Sequence, residues 1–202
     1  MNNEEFLQLV EKVYAFHTRR APGIPIAVEM VLRARAKLGN AEKLCAVAET
    51  STCLPDAIQF LLGCTIGNGD LRMMPEIGRY ALTLYDRKNG GKGVRIFVDQ
   101  NKIDAEKMPE THRFFLRKRS EEVKKGGAAR KASAEVIVNE FLNNGRDIFS
   151  LQDVVVADTS KSPLKEVVVC PKCGESFSVT QPNQTLCLVC SSDNPYYRTV
   201  NS

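Results

Sequence analysis

No apolar run in this chain approaches the ~20 residues that a membrane-spanning helix requires. The first residues, Met1 to Glu5, are polar and acidic, which predicts no secretory signal. Internal repeats and low-complexity tracts are absent, which argues against a solenoid or a fibre. No cysteine run suits a four-iron cluster. Charge of one sign is scarce too: the net charge is +4, and charged residues make up 26% of the chain. Hydrophobic residues make up 43%, ordinary for a soluble globular protein. These features predict a cytoplasmic protein with no membrane association.

Of seven cysteines, four lie close together near the C-terminus: Cys170, Cys173, Cys187 and Cys190. Each pair is a Cys-x2-Cys knuckle, a tight turn that points two thiolates at one ion. Two knuckles supply the four soft ligands of a closed tetrahedral site. A closed site leaves no position for substrate, so the spacing predicts one structural zinc per chain rather than zinc catalysis. Iron bound as in rubredoxin is the second candidate. Cys170-Pro171-Lys172-Cys173-Gly174 suits it, but Ser191 stands where the second knuckle would carry the matching glycine. Disulfides are the third, and nothing marks the chain as secreted. Cys45, Cys53 and Cys64 leave an odd number of thiols elsewhere, which fits a reducing compartment.

A chain of 202 residues suits one medium domain and a small appendage. We expect an α+β core domain over 1–160, with a helix-flanked antiparallel sheet and a helical extension at about 107–145. A zinc ribbon follows over 165–202, too short to fold without its metal. Phe6, Leu9, Val10 and Val13 mark an amphipathic helix over 3–15. Pro22, Gly23 and Pro25 open a second helix that Gly39-Asn40 closes. Leu44 to Glu49 reads as a buried strand, and Pro55 opens a helix to Leu62. Gly63 to Asp70 is a loop, with Gly67-Asn68-Gly69 as a tight turn. Arg79–Asp86 and Val94–Asp99 form a hairpin. Pro109 starts a basic helix to Lys125, and Ser133 caps another to Asn144 with Val136, Phe141 and Leu142 inward. Val154–Ala157 and Glu166–Val169 are strand candidates, with Asp158 to Pro163 between them as the linker.

Between Arg113 and Lys131 eight basic residues face only Glu121 and Glu122. Arg117, Lys118 and Arg119 are the candidate anion or nucleic-acid contacts in that run. The favoured reading is a solvated helix face with ion pairs, and Phe114 and Phe115 suggest that one side is buried.

The string Cys53-Leu-Pro-Asp56-Ala57-Ile-Gln59-Phe-Leu-Leu-Gly63-Cys64-Thr65-Ile-Gly67 carries a thiol and a carboxylate at a helix start and a second thiol past its end. A helix N-terminus lowers a thiol pKa, so Cys53 could act as ligand or nucleophile. With Phe16-His17 and Pro22-Gly23 before it, and the hairpin after it, the string resembles the FmdE family, named for a component of molybdenum- or tungsten-dependent formylmethanofuran dehydrogenase. Members typically show Phe-His-Gly-His-x-Cys-Pro-Gly near the N-terminus, then Cys-x2-Asp-Ala-x-Gln and Gly-Cys-Thr-x-Gly, and many end in a four-cysteine ribbon. This chain departs at the first block. Arg19 stands where the second histidine would be, and Ala21 where the cysteine would be. Arginine stays protonated and alanine has no donor atom, so neither ligates a metal. The resemblance therefore implies a degenerate core metal site comprising His17, Cys53, Asp56 and Cys64, or an anion pocket built on Arg19 and Arg20. We expect a non-catalytic accessory or regulatory protein. The alternatives are an enzyme or enzyme subunit of one-carbon or redox metabolism, and a nucleic-acid-binding regulator. A homodimer is expected, with a further protein partner an open option.

Overall fold

A computed structural model of the chain describes residues 1–160, 165–197 and 200. Helix α1 (Asn3–His17) opens on a capping box, in which Asn2 and Glu5 each bond the other's backbone N–H. Its periodic residues Phe6, Val10 and Val13 are buried. Helix α2 (Gly23–Leu38) is apolar through most of its circumference and buried to match, and it ends at Gly39. Strand β1 (Leu44–Ala48) leads into α3 (Leu54–Leu62), and β2 (Leu71–Met73) returns beside β1. Strands β3 (Ala81–Asp86) and β4 (Lys92–Val98) form the expected hairpin. Helices α4 (Pro109–Phe115), α5 (Glu121–Lys125) and α6 (Gly127–Asn144) precede β5 (Phe149–Val155).

These strands form one sheet in the order β2-β1-β3-β4-β5. It is antiparallel except for the β1–β2 pair, which α3 connects as a crossover. Alternate strand residues point to opposite faces. Ala46, Ala48, Leu82, Leu84 and Ile96 join the main core with Phe6, Ile24, Met30, Ile58 and Phe141 from the helices. The other face holds a small cluster of Cys45, Val47 and Tyr85. Near it, Arg95 pairs with Glu49 at 2.7 Å, and Lys43 and Arg87 both pair with Asp70. At the β3–β4 turn a side chain on Gly91 would collide with the Val156 carbonyl, and its φ of +73° also favours glycine.

Three sequence expectations are corrected. The basic helix does not run unbroken from Pro109 to Lys125. It stops at Phe115, passes Arg117 at φ +56°, and restarts at Ser120, whose Oγ accepts from the Val123 N–H. Glu121 and Glu122 then fill the first turn, where negative charge is favoured. Nor does Ser133 cap a helix. Helix α6 begins at Gly127, and Ser133 is buried within it, donating to Glu110 at 2.6 Å. On α6 Ile137 and Phe141 are buried and Leu142 packs partly buried against the core, while Val136, expected inward, is exposed.

Residues Met1–Thr159 form one compact unit and Ser160–Ser202 a second. Of the expected linker, Lys161, Ser162 and Pro163 lie outside the described residues. The second unit holds the hairpin β6 (Val167–Val169) and β7 (Ser176–Ser178), and the short helix α7 (Leu188–Ser191).

Candidate functional sites: a four-thiol centre and a basic cleft

The hairpin β6–β7 presents the first knuckle at its turn. Gly174 donates its N–H to the Cys170 carbonyl at 2.8 Å and takes φ +78°, a conformation that glycine adopts without penalty. Cys170 N–H in turn donates to the Glu175 carbonyl. The second knuckle spans the start of α7, where Ser191 N–H reaches the Cys187 carbonyl at 3.0 Å. The Sγ atoms of Cys170, Cys173, Cys187 and Cys190 all lie within 4.8 Å of one another. Cys173 Sγ and Cys187 Sγ are 3.9 Å apart. A tetrahedron of thiolates with metal–sulfur bonds of about 2.3 Å has edges of about 3.8 Å, so the cluster has the size of a metal site. Backbone N–H groups, that of Cys187 first, hold the Cys170 thiol well below its ordinary pKa, whereas burial and then the neighbouring thiols push Cys190 up to about 12, and Cys173 is raised as well. Among the described residues this is the one group of three or more such donors close enough to share an ion.

In the first unit the predicted core residues separate into two places. Three come together. His17, in the last turn of α1, sits 2.6 Å from Asp56 through Nδ1, and its Nε2 is 3.9 Å from Cys53 Sγ. Asp56 is in the first turn of α3 and Cys53 is the residue before that helix. Ring contact between Phe16 and Phe60 joins α1 to α3 beside them. Cys64 lies past the far end of α3, beyond nine helical residues, with its thiol toward the Leu44 carbonyl. At ~1.5 Å rise per residue it belongs to a different neighbourhood.

Cys53 has an unusual setting. Its φ is +50°, and Leu54 N–H closes a γ-turn onto the Thr52 carbonyl. Such backbone in a non-glycine residue costs of order 1–3 kcal/mol and needs support. Gly23 supplies part of it, because a Cβ there would stand 2.9 Å from Cys53 Sγ and 3.0 Å from the Tyr80 hydroxyl. Tyr80 donates to the Gly23 carbonyl at 2.9 Å. Burial, then the Asp56 charge, pushes the Cys53 thiol up to about 11, so the helix dipole does not leave it ionised.

Cys53 opens into a cleft of about 580 Å³, with Thr52, Phe114, Phe115 and Arg119 among its walls. A second cleft, of about 810 Å³, adjoins it at Ala21, Pro22 and Arg119. Arg19, Arg20, Arg130 and Lys131 line this second cleft, against the single carboxylate of Glu135. Arg20 is held by Glu11 through two hydrogen bonds, while Arg130 donates to the Val123 and Lys124 carbonyls. Arg119 donates to Ser133, and its buried Nε has no partner among the described residues. Of the three candidate anion contacts named from the sequence, Arg117 and Arg119 line the Cys53 cleft and Lys118 lines neither cleft. No local pattern marks Tyr80 or the role of Gly23, which meet across 57 residues of chain, and only the return of α6 brings Arg130 and Lys131 beside Arg19 and Arg20.

Arg113 pairs with Glu110 at 2.5 Å and Lys124 with Glu121 at 2.6 Å. Much of the basic run is thus matched locally or turned to the cleft. No helix among the described residues is long and apolar enough to cross a membrane.

Comparison with known proteins bears on both sites. Residues 16–154 match the family described as FmdE, molybdenum formylmethanofuran dehydrogenase operon. The chain is similar to the crystal structure of a tungsten formylmethanofuran dehydrogenase FmdE-like protein from Syntrophus aciditrophicus. That likeness has a TM-score of 0.71 and 35% identity, and covers 95% of each chain. A probable S-adenosyl-L-methionine-binding protein of Archaeoglobus fulgidus is 29% identical over 96% of this chain. The chain spans about half of that relative, 54% of its length. With a match over most of the first unit and a solved relative along nearly its whole length, the chain belongs to the FmdE family.

Proposed function

We propose that this chain is an FmdE-family accessory or regulatory protein that carries one structural zinc and binds a small anionic ligand in its core cleft. The supporting observation is a contrast within one molecule. The four thiols at Cys170, Cys173, Cys187 and Cys190 cluster at metal-site spacing, while the core has Arg19 and Ala21 where the family motif has donors. Zinc is favoured over iron because the second knuckle ends in Ser191 rather than glycine. All four ligand positions are protein thiols, so the metal's role is to fold the small unit and not to activate substrate. His17, Cys53 and Asp56 are the remainder of the core set, and the imidazole lies between the other two donors, Nδ1 to Asp56 and Nε2 to Cys53, so the three do not converge on one ion. Cations at the cleft favour a carboxylate or phosphate ligand, which guanidinium groups bind by paired hydrogen bonds.

Titration calorimetry with inorganic phosphate tests the anion reading. Binding should weaken about tenfold or more in an Arg19→Ala, Lys131→Ala double variant and fall with added salt. No heat at millimolar phosphate in low salt would contradict it. A second reading comes from the relative named for S-adenosyl-L-methionine binding. Phe114, Phe115 and Arg119 line one cleft, with the Arg119 guanidinium over the Phe114 ring, an apolar and cationic setting for a base and a carboxylate. The same titration with S-adenosyl-L-methionine discriminates it. We also propose a homodimer, which light scattering tests against the 22.4 kDa monomer.

A further inference from the structure

The metal reading leaves the His17–Cys53–Asp56 group unused. Three observations set it apart from an ordinary ion pair beside a buried thiol. Asp56 holds His17 by Nδ1 at 2.6 Å, which turns Nε2 toward Cys53 Sγ, 3.9 Å away. The thiol sits at a strained turn, φ +50°, between a strand and a helix, a placement that costs free energy and that the close packing at Gly23 helps to hold. It lines a cleft whose walls are aromatic and cationic. A nucleophile, a base within reach and a carboxylate that orients the base form the constellation used in acyl transfer.

We infer that Cys53 is a base-assisted nucleophile that takes the acyl group of small anionic acyl compounds entering by the basic cleft. His17 accepts the Sγ proton at Nε2, and Asp56 holds the ring by Nδ1. The thiolate attacks the acyl carbon, an S–C bond forms, and the bond from that carbon to its leaving group breaks. His17 returns the proton to the leaving group, so a thioester on Cys53 and a protonated leaving group are the products. No electron acceptor is needed. The high thiol pKa set by burial makes the base necessary. Other titratable groups at Cys53 are Tyr14 and Tyr80, with Arg117, Arg119 and Lys124 across the cleft. The inference takes only the ligand's charge from the anion reading; the relay stands independently of it.

Three arms test it on the full-length protein, with peptide mass mapping to read Cys53 apart from Cys45 and Cys64. Iodoacetamide, being neutral, reads the relay. At pH 7 Cys53 should alkylate about tenfold or more faster than Cys45 and Cys64, and His17→Gln should slow it about tenfold or more. Asp56→Asn should slow it less and shift its pH profile. Acetyl phosphate, a small anionic acyl donor, should leave one acetyl group on Cys53, lost in His17→Gln. An iodoacetate-to-iodoacetamide rate ratio that falls in Arg19→Ala reads the rim. An alkylation rate at Cys53 unchanged by His17→Gln, in a variant with unaltered circular dichroism, overturns the relay. His17-dependent alkylation with no acetyl transfer overturns the acyl class. A charge-independent ratio overturns the anionic ligand and leaves the relay standing.

Discussion

Gly23 shows how much one missing atom decides. The thiol of Cys53 and the hydroxyl of Tyr80 fill the space where a Cβ would stand, 2.9 and 3.0 Å away. Gly23→Ala must displace one of them. We expect a loss of about 1–3 kcal/mol in chemical denaturation, together with altered Cys53 alkylation. Unchanged stability and reactivity would mean that the close approach has no consequence. Asp86 is the corresponding case for charge. It accepts backbone N–H groups from Glu42, Lys43 and Lys88 at 2.9–3.0 Å, which lowers its carboxyl pKa. A lowered folded-state pKa contributes stability above the unfolded value, which is lost as pH falls through the folded one. Asp86→Asn should therefore flatten the loss of stability below about pH 4 while leaving a smaller pH dependence elsewhere. Equal acid titrations of variant and wild type would contradict that account. At this scale the sequence is readable where a residue acts on its neighbours in the chain, as at Gly39. Tyr80 acts on Gly23, far along the chain, and no local pattern announces it.

At the scale of elements, helix α4 has no capping side chain of its own at Met108. Its N-terminus is capped from α6 instead. Glu140 accepts the N–H groups of Glu110 and Thr111 at 3.1 and 2.8 Å and the Thr111 hydroxyl at 2.8 Å. Thr111 is fully buried, so Glu140→Ala leaves donors without water or partner. We expect a loss of about 2 kcal/mol by denaturant unfolding. A loss below about 0.5 kcal/mol would mean that water replaces the carboxylate. Periodicity locates α1, because one face of it is buried, while α2 and the β3–β4 hairpin are marked by their apolar content and by the Pro and Gly residues that bound them. Periodicity fails between Pro109 and Asn144. The break before Ser120 carries a readable signal, a serine followed by Glu121 and Glu122, but the basic run conceals it. The start of α6 carries none, since Gly127 to Lys131 has no apolar period and Ser133 resembles a cap.

At the scale of the whole molecule, two units divide the stability problem. Residues 1–159 bury a single large core, while residues 160–202 bury little beyond Cys170 among their described members. The smaller unit should therefore depend on its metal for folding. Cys170→Ser should unfold it and leave the thermal transition of the first unit within about 2 °C, as read by calorimetry and limited proteolysis. Simultaneous collapse of both units would contradict their independence. Knuckle spacing makes this unit legible in the sequence, because a four-thiol site is encoded by local turns. The cleft is not legible there, since α1, the turns around Ala21 and Cys53, and α4–α6 contribute to it from widely separated stretches.

Elemental analysis of the purified full-length protein, beside Cys170→Ser and Cys53→Ser, tests the central claim most directly. The account predicts one zinc per chain in the wild type and in Cys53→Ser, and none in Cys170→Ser. Iron in place of zinc, or a second stoichiometric metal that disappears with Cys53→Ser, would contradict it.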